Sequence, residues 1–369
     1  MKNLSVLTFA LIIVTSLVFL SCNKPDSGTQ NPLIAQLDNI QKEFVPDRRI
    51  EVFNVTIDDD SNIITVETTS TPAAEAVRLI SDDIIIKMLP DIELGEYTNA
   101  LVRVSVAHLR RDPRHQAELI DQAIMGTELK VLKKRGGWYY IQTPWEYLGW
   151  VTSGSLELMS DETLESRWQS KNHMKVATVD TRIFRQPRIS NDVLSDVTLG
   201  AILVVDRNEG MFTKVTLPDS RQGYILSNEL TELNVIDNSK RPDGDSIIQT
   251  AKSFHGLPYI WGGNSGKGFD CSGFTQTVFK ANGYLLPRDA NMQVMIGTEI
   301  PIEGDFSHVL PGDLLFFGPS ESRITHVGIS LGGARYIHSS SYVQINSLNE
   351  SDDDFDLDRR ETIQFIKRI

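Results

Sequence analysis

Cysteine is almost missing from this chain: Cys22 and Cys271 are the only two in 369 residues. A disulfide framework is therefore excluded as the main source of stability. Basic residues are outnumbered, 36 Lys and Arg against 49 Asp and Glu, which gives a formal net charge of −13. Composition leaves no basic patch, so nucleic acid is not an expected partner. No group of His and Cys residues has zinc-ligand spacing, so neither a metal nor another cofactor is expected. The 40% hydrophobic content is that of a soluble protein, and the length suffices for several domains.

The N-terminus reads as a targeting segment. Met1-Lys2 is positive, Val6 to Leu20 is mostly apolar, and Ser21-Cys22 follows. Phe19-Leu20-Ser21-Cys22 resembles a lipobox, which makes residues 1–22 a lipoprotein signal with Cys22 as the lipid attachment site. Residues 23–31 are polar, with Pro25, Ser27 and Gly28, and suit a tether. With Cys22 used for lipid, Cys271 has no disulfide partner. A lone thiol in an exported protein is a candidate for chemistry.

The stretch from Tyr259 to Gly273 surrounds that thiol. Seven of its fifteen residues are glycine or serine, so the backbone there can turn tightly. From Cys271 the pattern becomes helical, with Phe274, Val278 and Ala281 on one face and Asn282-Gly283 as the stop. Cys271 is thus expected at a helix N-terminus, where unpaired N–H groups and the macrodipole favour a thiolate. Downstream, Val327, Ile329 and Leu331 alternate with His326, Gly328 and Ser330, as in a strand with one apolar face. His326 can serve as the base. Gly332-Gly333 turns the chain into Arg335-Tyr336-Ile337-His338, a neighbouring strand, and His338 can orient His326.

Six segments in order now stand together: Tyr259-Ile260-Trp261-Gly262-Gly263, Asp270-Cys271-Ser272-Gly273-Phe274, Leu286-Pro287-Arg288, Pro311-Gly312-Asp313-Leu314-Leu315-Phe316-Phe317, His326-Val327-Gly328-Ile329 and Tyr336-Ile337-His338-Ser339. This series resembles the NlpC/P60 family of cell-wall cysteine peptidases, over about residues 246–369. The resemblance implies an α+β, papain-like catalytic domain, with a helix-borne cysteine packed on an antiparallel sheet. It also implies cleavage of peptidoglycan stem peptides, usually at the γ-D-glutamyl–diamino acid bond. Tyr259 matches the family tyrosine that lies near the nucleophile.

Residues 100–233 carry an internal repeat. Pro113, Gly126, Trp138, Gly149 and Val151 recur as Pro187, Gly200, Phe212, Gly223 and Ile225, each 74 positions on. Both copies are rich in short strand patterns, and they resemble bacterial SH3 domains, at residues 99–160 and 173–234. Asp161 to Asn172 is expected to join them as a short helix. Trp145 and Tyr147 make one loop of the first copy aromatic, as a recognition surface would be, or as a surface packed on a neighbour would be. Residues 32–98 read as a small α/β segment of structural role. It has strands at Ile50 to Ile57 and Ile63 to Val66, and a helix capped by Thr71. Ser246 to Phe254 reads as a helix, Ser351 to Arg360 as a solvated loop, and Thr362 to Ile369 as a sheet-closing strand.

Family members with tandem SH3 domains, of the dipeptidyl-peptidase VI type, require a free N-terminal L-Ala. By that resemblance Asp270 and Ser272 would hold the substrate beside the nucleophile. Glu118 and Tyr147 would be the part supplied by the first SH3 domain. The expected reading is an envelope lipoprotein, membrane-bound through its lipid alone and monomeric, acting on peptidoglycan stem peptides. Three alternatives remain: an endopeptidase acting on intact wall, a non-catalytic wall-binding lipoprotein, and a transferase with the same thioester chemistry.

Overall fold

The computed structural model describes residues 32–369; the signal segment, Cys22 and the tether lie outside the described residues. No helix among the described residues is long and apolar enough to cross a membrane.

The N-terminal unit packs helices Pro32–Phe44 and Thr71–Ile80 on a three-stranded sheet. Strands Phe53–Ile57 and Ile64–Thr68 form a hairpin, and Ile85–Met88 adds in parallel. The second helix is capped by Ser70, one residue before the expected Thr71, because the Ser70 hydroxyl accepts from the Ala73 amide. Val52 and Leu89 seat the unit on Leu132 and Leu148 of the next domain.

Two seven-stranded barrels follow. Strands beginning at Asn99, Val106, Leu119, Glu128, Trp138, Leu148 and Leu156 have counterparts beginning at His173, Asp180, Val193, Ile202, Phe212, Gln222 and Leu230. Each pair is 74 residues apart, and the pairing order matches along both sheets. Gly126 and Gly200 both sit at φ +82, a left-handed conformation that favours glycine. Trp168, carried by the helical linker, fills the seam between the barrels with Leu101, Met159 and Val204.

The last domain sets helix Cys271–Ala281 against a six-stranded antiparallel sheet. Its order is Thr298–Ile300, Ile363–Arg368, Leu314–Phe317, His326–Gly332, Arg335–Ser340 and Tyr342–Ser347. Phe254, Phe269 and Phe274 form an edge-to-face cluster under the helix. The preceding helix spans Gly244–Ser253, earlier than expected, because Asp243 caps it through the Ser246 amide. The stretch 351–360 is not simply a solvated loop. Asp356 caps helix Leu357–Thr362, Tyr336 Oη donates to Asp356 Oδ2 at 3.1 Å, and Arg335 pairs with Asp354 at 2.5 Å.

Candidate active site

Asp270 starts the nucleophile helix. Its Oδ1 accepts the Gly273 amide at 2.7 Å, which leaves Cys271 as the first helical residue. The thiol is 8% exposed and rests against the strand that begins at His326. The Val327 and Ser272 amides favour its ionised form, but burial and the Asp270 charge outweigh them and push the thiol up to about 12. Burial, His338 and Arg359 hold His326 well below the ordinary histidine value. Burial thus opposes the ion pair that a helix start alone favours. The proton moves when substrate charge develops.

Three side chains fix which nitrogen of His326 carries the proton. Asn346 Nδ2 donates to the Asp354 carbonyl at 3.2 Å, so its Oδ1 faces His338. His338 Nε2 donates to that oxygen at 3.0 Å, which leaves His338 Nδ1 bare. That atom accepts from His326 Nε2 at 2.7 Å, which leaves His326 Nδ1 bare, as a base must be. Phe317 and Tyr336 pack around the two rings. Asn346→Leu removes the last acceptor and lets His338 carry its proton on Nδ1 instead. His326 is then driven to the wrong tautomer. The expected result is a fall in kcat of about 10²-fold with KM little changed. An unaltered kcat would show that this relay does not set the tautomer.

Tyr259 lines the cleft beside Cys271, and burial raises its phenol above the usual value, so it stays a donor. The Cys271 amide, at the open end of the helix, is a second donor for a developing oxyanion. Ser272 and Asp270 line the same cleft and also hold the helix start. Asp270 accepts from the Gly262 and Gly273 amides, from Ser272 Oγ, and twice from Arg288. Asp270 thereby anchors Arg288 and the helix start while it lines the cleft beside Cys271. Arg288 also donates from Nε to Asp121 Oδ1 of the first barrel at 2.6 Å. Asp121 further accepts from Trp145 Nε1 at 2.7 Å and Asn264 Nδ2 at 3.2 Å; with donors on every side it is a carboxylate. Trp145 and Tyr147 are buried rather than displayed, and Lys280 of the nucleophile helix lies 4.6 Å over the Trp145 ring.

The barrels press this site closely. A side chain at Gly262 would meet the Leu119 carbonyl at 2.4 Å. A cleft of about 810 Å³ opens between the modules, lined by Cys271, Tyr259, Asp270 and Ser272 together with Glu118 and Tyr147. Glu118 accepts from Trp261 Nε1 at 2.8 Å and pairs with Arg111 at 2.7 Å. Tyr147 Oη donates to Asp289 Oδ2 at 3.0 Å, and Arg49 pairs with the same oxygen at 2.7 Å. The N-terminal unit also reaches this cleft. Its segment from Arg48 to Asn54 lines the cleft, held to the first barrel by the Leu148 amide on the Arg49 carbonyl.

Residues 256–354 match the NlpC/P60 family, and residues 109–156 match the bacterial dipeptidyl-peptidase Sh3 domain. A γ-D-glutamyl-L-lysine dipeptidyl-peptidase of Bacillus cereus is 31% identical over 235 residues, covering 60% of this chain and 67% of that one.

The chain belongs to the NlpC/P60 family of cysteine peptidases.

Dipeptidyl-peptidase 6 of Lysinibacillus sphaericus is 29% identical over 264 residues, 68% of this chain and 92% of that one. The crystal structure of an NlpC/P60 family protein from Bacillus cereus superimposes with a TM-score of 0.62 at 25% identity, covering 73% of this chain and 99% of that chain. Within this NlpC/P60 chain, the Val327 amide next to His326 reaches Cys271, His326 bonds His338, and Glu118 and Tyr147 line the cleft that holds Cys271. Sequence reasoning missed Asn346, Arg288, Asp289 and Arg49. Arg288 stood inside a quoted motif without a role, and the other three carry no local signal.

Proposed function

We propose that this chain hydrolyses the γ-D-glutamyl–diamino acid bond of peptidoglycan stem peptides whose N-terminal L-Ala amine is free. One observation carries the reading: Glu118 and Asp289 line the nucleophile's cleft from the side that the first barrel closes. A substrate ammonium desolvated there needs carboxylates, and these two are positioned by Trp261, Tyr147 and the flanking arginines. The names of the relatives, γ-D-glutamyl-L-lysine dipeptidyl-peptidase and dipeptidyl-peptidase 6, agree with release of a dipeptide.

The chemistry follows from the relay. His326 Nδ1 takes the thiol proton as Cys271 Sγ attacks the γ-carbonyl of D-Glu. The Cys271 amide and the Tyr259 hydroxyl meet the oxyanion. The protonated His326 gives its proton to the departing amine, and water then hydrolyses the thioester. Lipid at Cys22 would hold the enzyme at the cell envelope, where released stem peptides pass.

Digestion of L-Ala-γ-D-Glu-diamino acid tripeptides should yield L-Ala-γ-D-Glu and the free diamino acid by mass spectrometry. Glu118→Gln should lower kcat/KM on the free-amine peptide by roughly tenfold and barely change it on an N-acetylated one. Equal losses on both peptides would remove Glu118 from amine recognition.

A further inference from the structure

The cleft has a second lobe. Tyr259 and Thr325 line both parts, and beyond them a recess of about 290 Å³ is formed with His326, Ser339, Ser340, Ser341 and Arg359. Glu118 and Asp289, given the amine above, line the first lobe with Cys271, whereas the recess holds neither of them and is the part that His326 lines. Its chemistry is set by His326. The leaving nitrogen must reach that imidazole to be protonated, so whatever is bonded to the nitrogen enters this recess.

Arg359 is the one cation lining it. Its guanidinium lies 5.6 Å from the Phe317 ring centroid, and Phe317 in turn packs on His326 at 5.8 Å. Among the described residues no carboxylate pairs with it, although Arg335, Arg368 and Arg288 nearby in the domain are each paired. Its backbone is fixed, since the Arg359 amide donates to the Asp356 cap at 3.1 Å. An unpaired guanidinium beside the general base lowers the basicity of both histidines, a standing cost to the relay. A bound anion would offset that cost.

We infer that Arg359 binds a carboxylate of the departing diamino acid and makes the recess a specificity site for the leaving group. The inference rests on the bond cleavage proposed above. In an α-amino acid the α-carboxylate is two bonds from the leaving nitrogen. It therefore travels into the recess with the nitrogen whenever the peptide ends at the third residue. A diaminopimelate side chain brings a second carboxylate of the same chemistry, on a longer arm. Planar, forked recognition of this group is what a guanidinium does best.

Four peptides separate the two sources, all beginning L-Ala-γ-D-Glu with a free amine. Their third residues are L-Lys, L-Lys amide, meso-diaminopimelate, and meso-diaminopimelate amidated at the α-carboxyl. The wild-type enzyme should cut at least one carboxylate-bearing type roughly 10- to 100-fold faster, in kcat/KM, than the lysine amide. L-Lys against its amide reads the α-carboxylate; the α-amidated diaminopimelate peptide against lysine amide reads the side chain. Arg359→Gln should abolish the preference, raising KM for the favoured peptides relative to the lysine amide, whose own rate reads any change at His326, and Arg359→Lys should restore part of it. A wild-type enzyme that cuts all four equally would overturn the inference while leaving the proposed bond specificity standing. A preference that survives in Arg359→Gln would overturn it as well. Failure to cut any of the four would overturn both readings.

Discussion

Cys271→Ala is expected to lower kcat/KM on stem peptides by roughly 10⁴- to 10⁶-fold while the fold persists. The substitution removes the sulfur that must attack, and no neighbouring side chain can replace it: Ser272 Oγ and its carbonyl are both engaged by Arg288, Gln293 and Thr275. It deletes one heavy atom at a helix start that Asp270 caps independently, so stability should change by about 1 kcal/mol or less. His326→Ala should be nearly as damaging, because the proton then has no acceptor. His338→Ala should cost less, about 10²-fold, since His338 only fixes the tautomer and angle of His326. Circular dichroism and thermal melting of each variant separate chemistry from folding. Substantial turnover by purified Cys271→Ala would refute the thiol mechanism.

The second large effect concerns structure. Arg288 is 1% exposed and joins Asp121 of the first barrel to Asp270 beside the nucleophile. Arg288→Met preserves much of the volume but leaves two buried carboxylates without their cation. Removing one partner of a buried ion pair costs about 3–5 kcal/mol, and here two acids lose the same partner. Asp270 retains its amide donors and Asp121 retains Trp145 and Asn264, so the loss should fall at the low end of that range for each. The expected phenotype is a marked fall in melting temperature, with separation of the first barrel from the catalytic domain. Loss of peptidase activity should follow even where the catalytic domain stays folded, because Glu118 and Tyr147 move away with the barrel. Limited proteolysis in the segment between Val235 and Asp243 reports that separation. An unchanged melting curve would mean that the junction is held by its apolar contacts alone.

Parts of this architecture were legible in the sequence for definite reasons. The barrel repeat could be read because turn glycines and strand residues recur at one spacing, and every strand start keeps that spacing in the fold. The nucleophile helix could be read because an apolar stripe and a cap lie within a dozen residues of each other. His338 could be placed beside His326 because a glycine pair connects their strands. What escaped is what depends on distant pieces meeting. Asn346 acts on His338 only through cross-strand geometry and through Asp354, which sits in a stretch whose acidity suggested solvent. The aromatic loop of Trp145 and Tyr147 fitted either a recognition surface or a surface packed on a neighbour, since composition cannot say which neighbour a loop faces; docking buries both on Asp121 and Asp289. Arg49 lies 240 residues from Asp289, and nothing local marks it as part of a cleft. The balance of forces on the thiol is hidden for a related reason. A helix start favours thiolate, but the burial that opposes it is a property of the assembled site.

The N-terminal unit gains a role from the same contacts. Arg49 pairs with Asp289 of the catalytic domain while its carbonyl accepts the Leu148 amide of the first barrel, so three modules meet at this wall of the cleft.

The most direct measurement is therefore kcat/KM of the full-length enzyme on two peptides that differ at one atom's substituent. These are L-Ala-γ-D-Glu-diamino acid with a free amine, and the same peptide N-acylated as in intact peptidoglycan. Acylation removes the charge that Glu118 and Asp289 would meet. Both acids are partly solvated and already paired with arginines, so the loss should be roughly 10²-fold rather than larger. The predicted result is rapid release of L-Ala-γ-D-Glu from the free-amine peptide and a rate about two orders of magnitude lower on the acylated one. Equal rates on the two would contradict the account and make the chain a general wall endopeptidase.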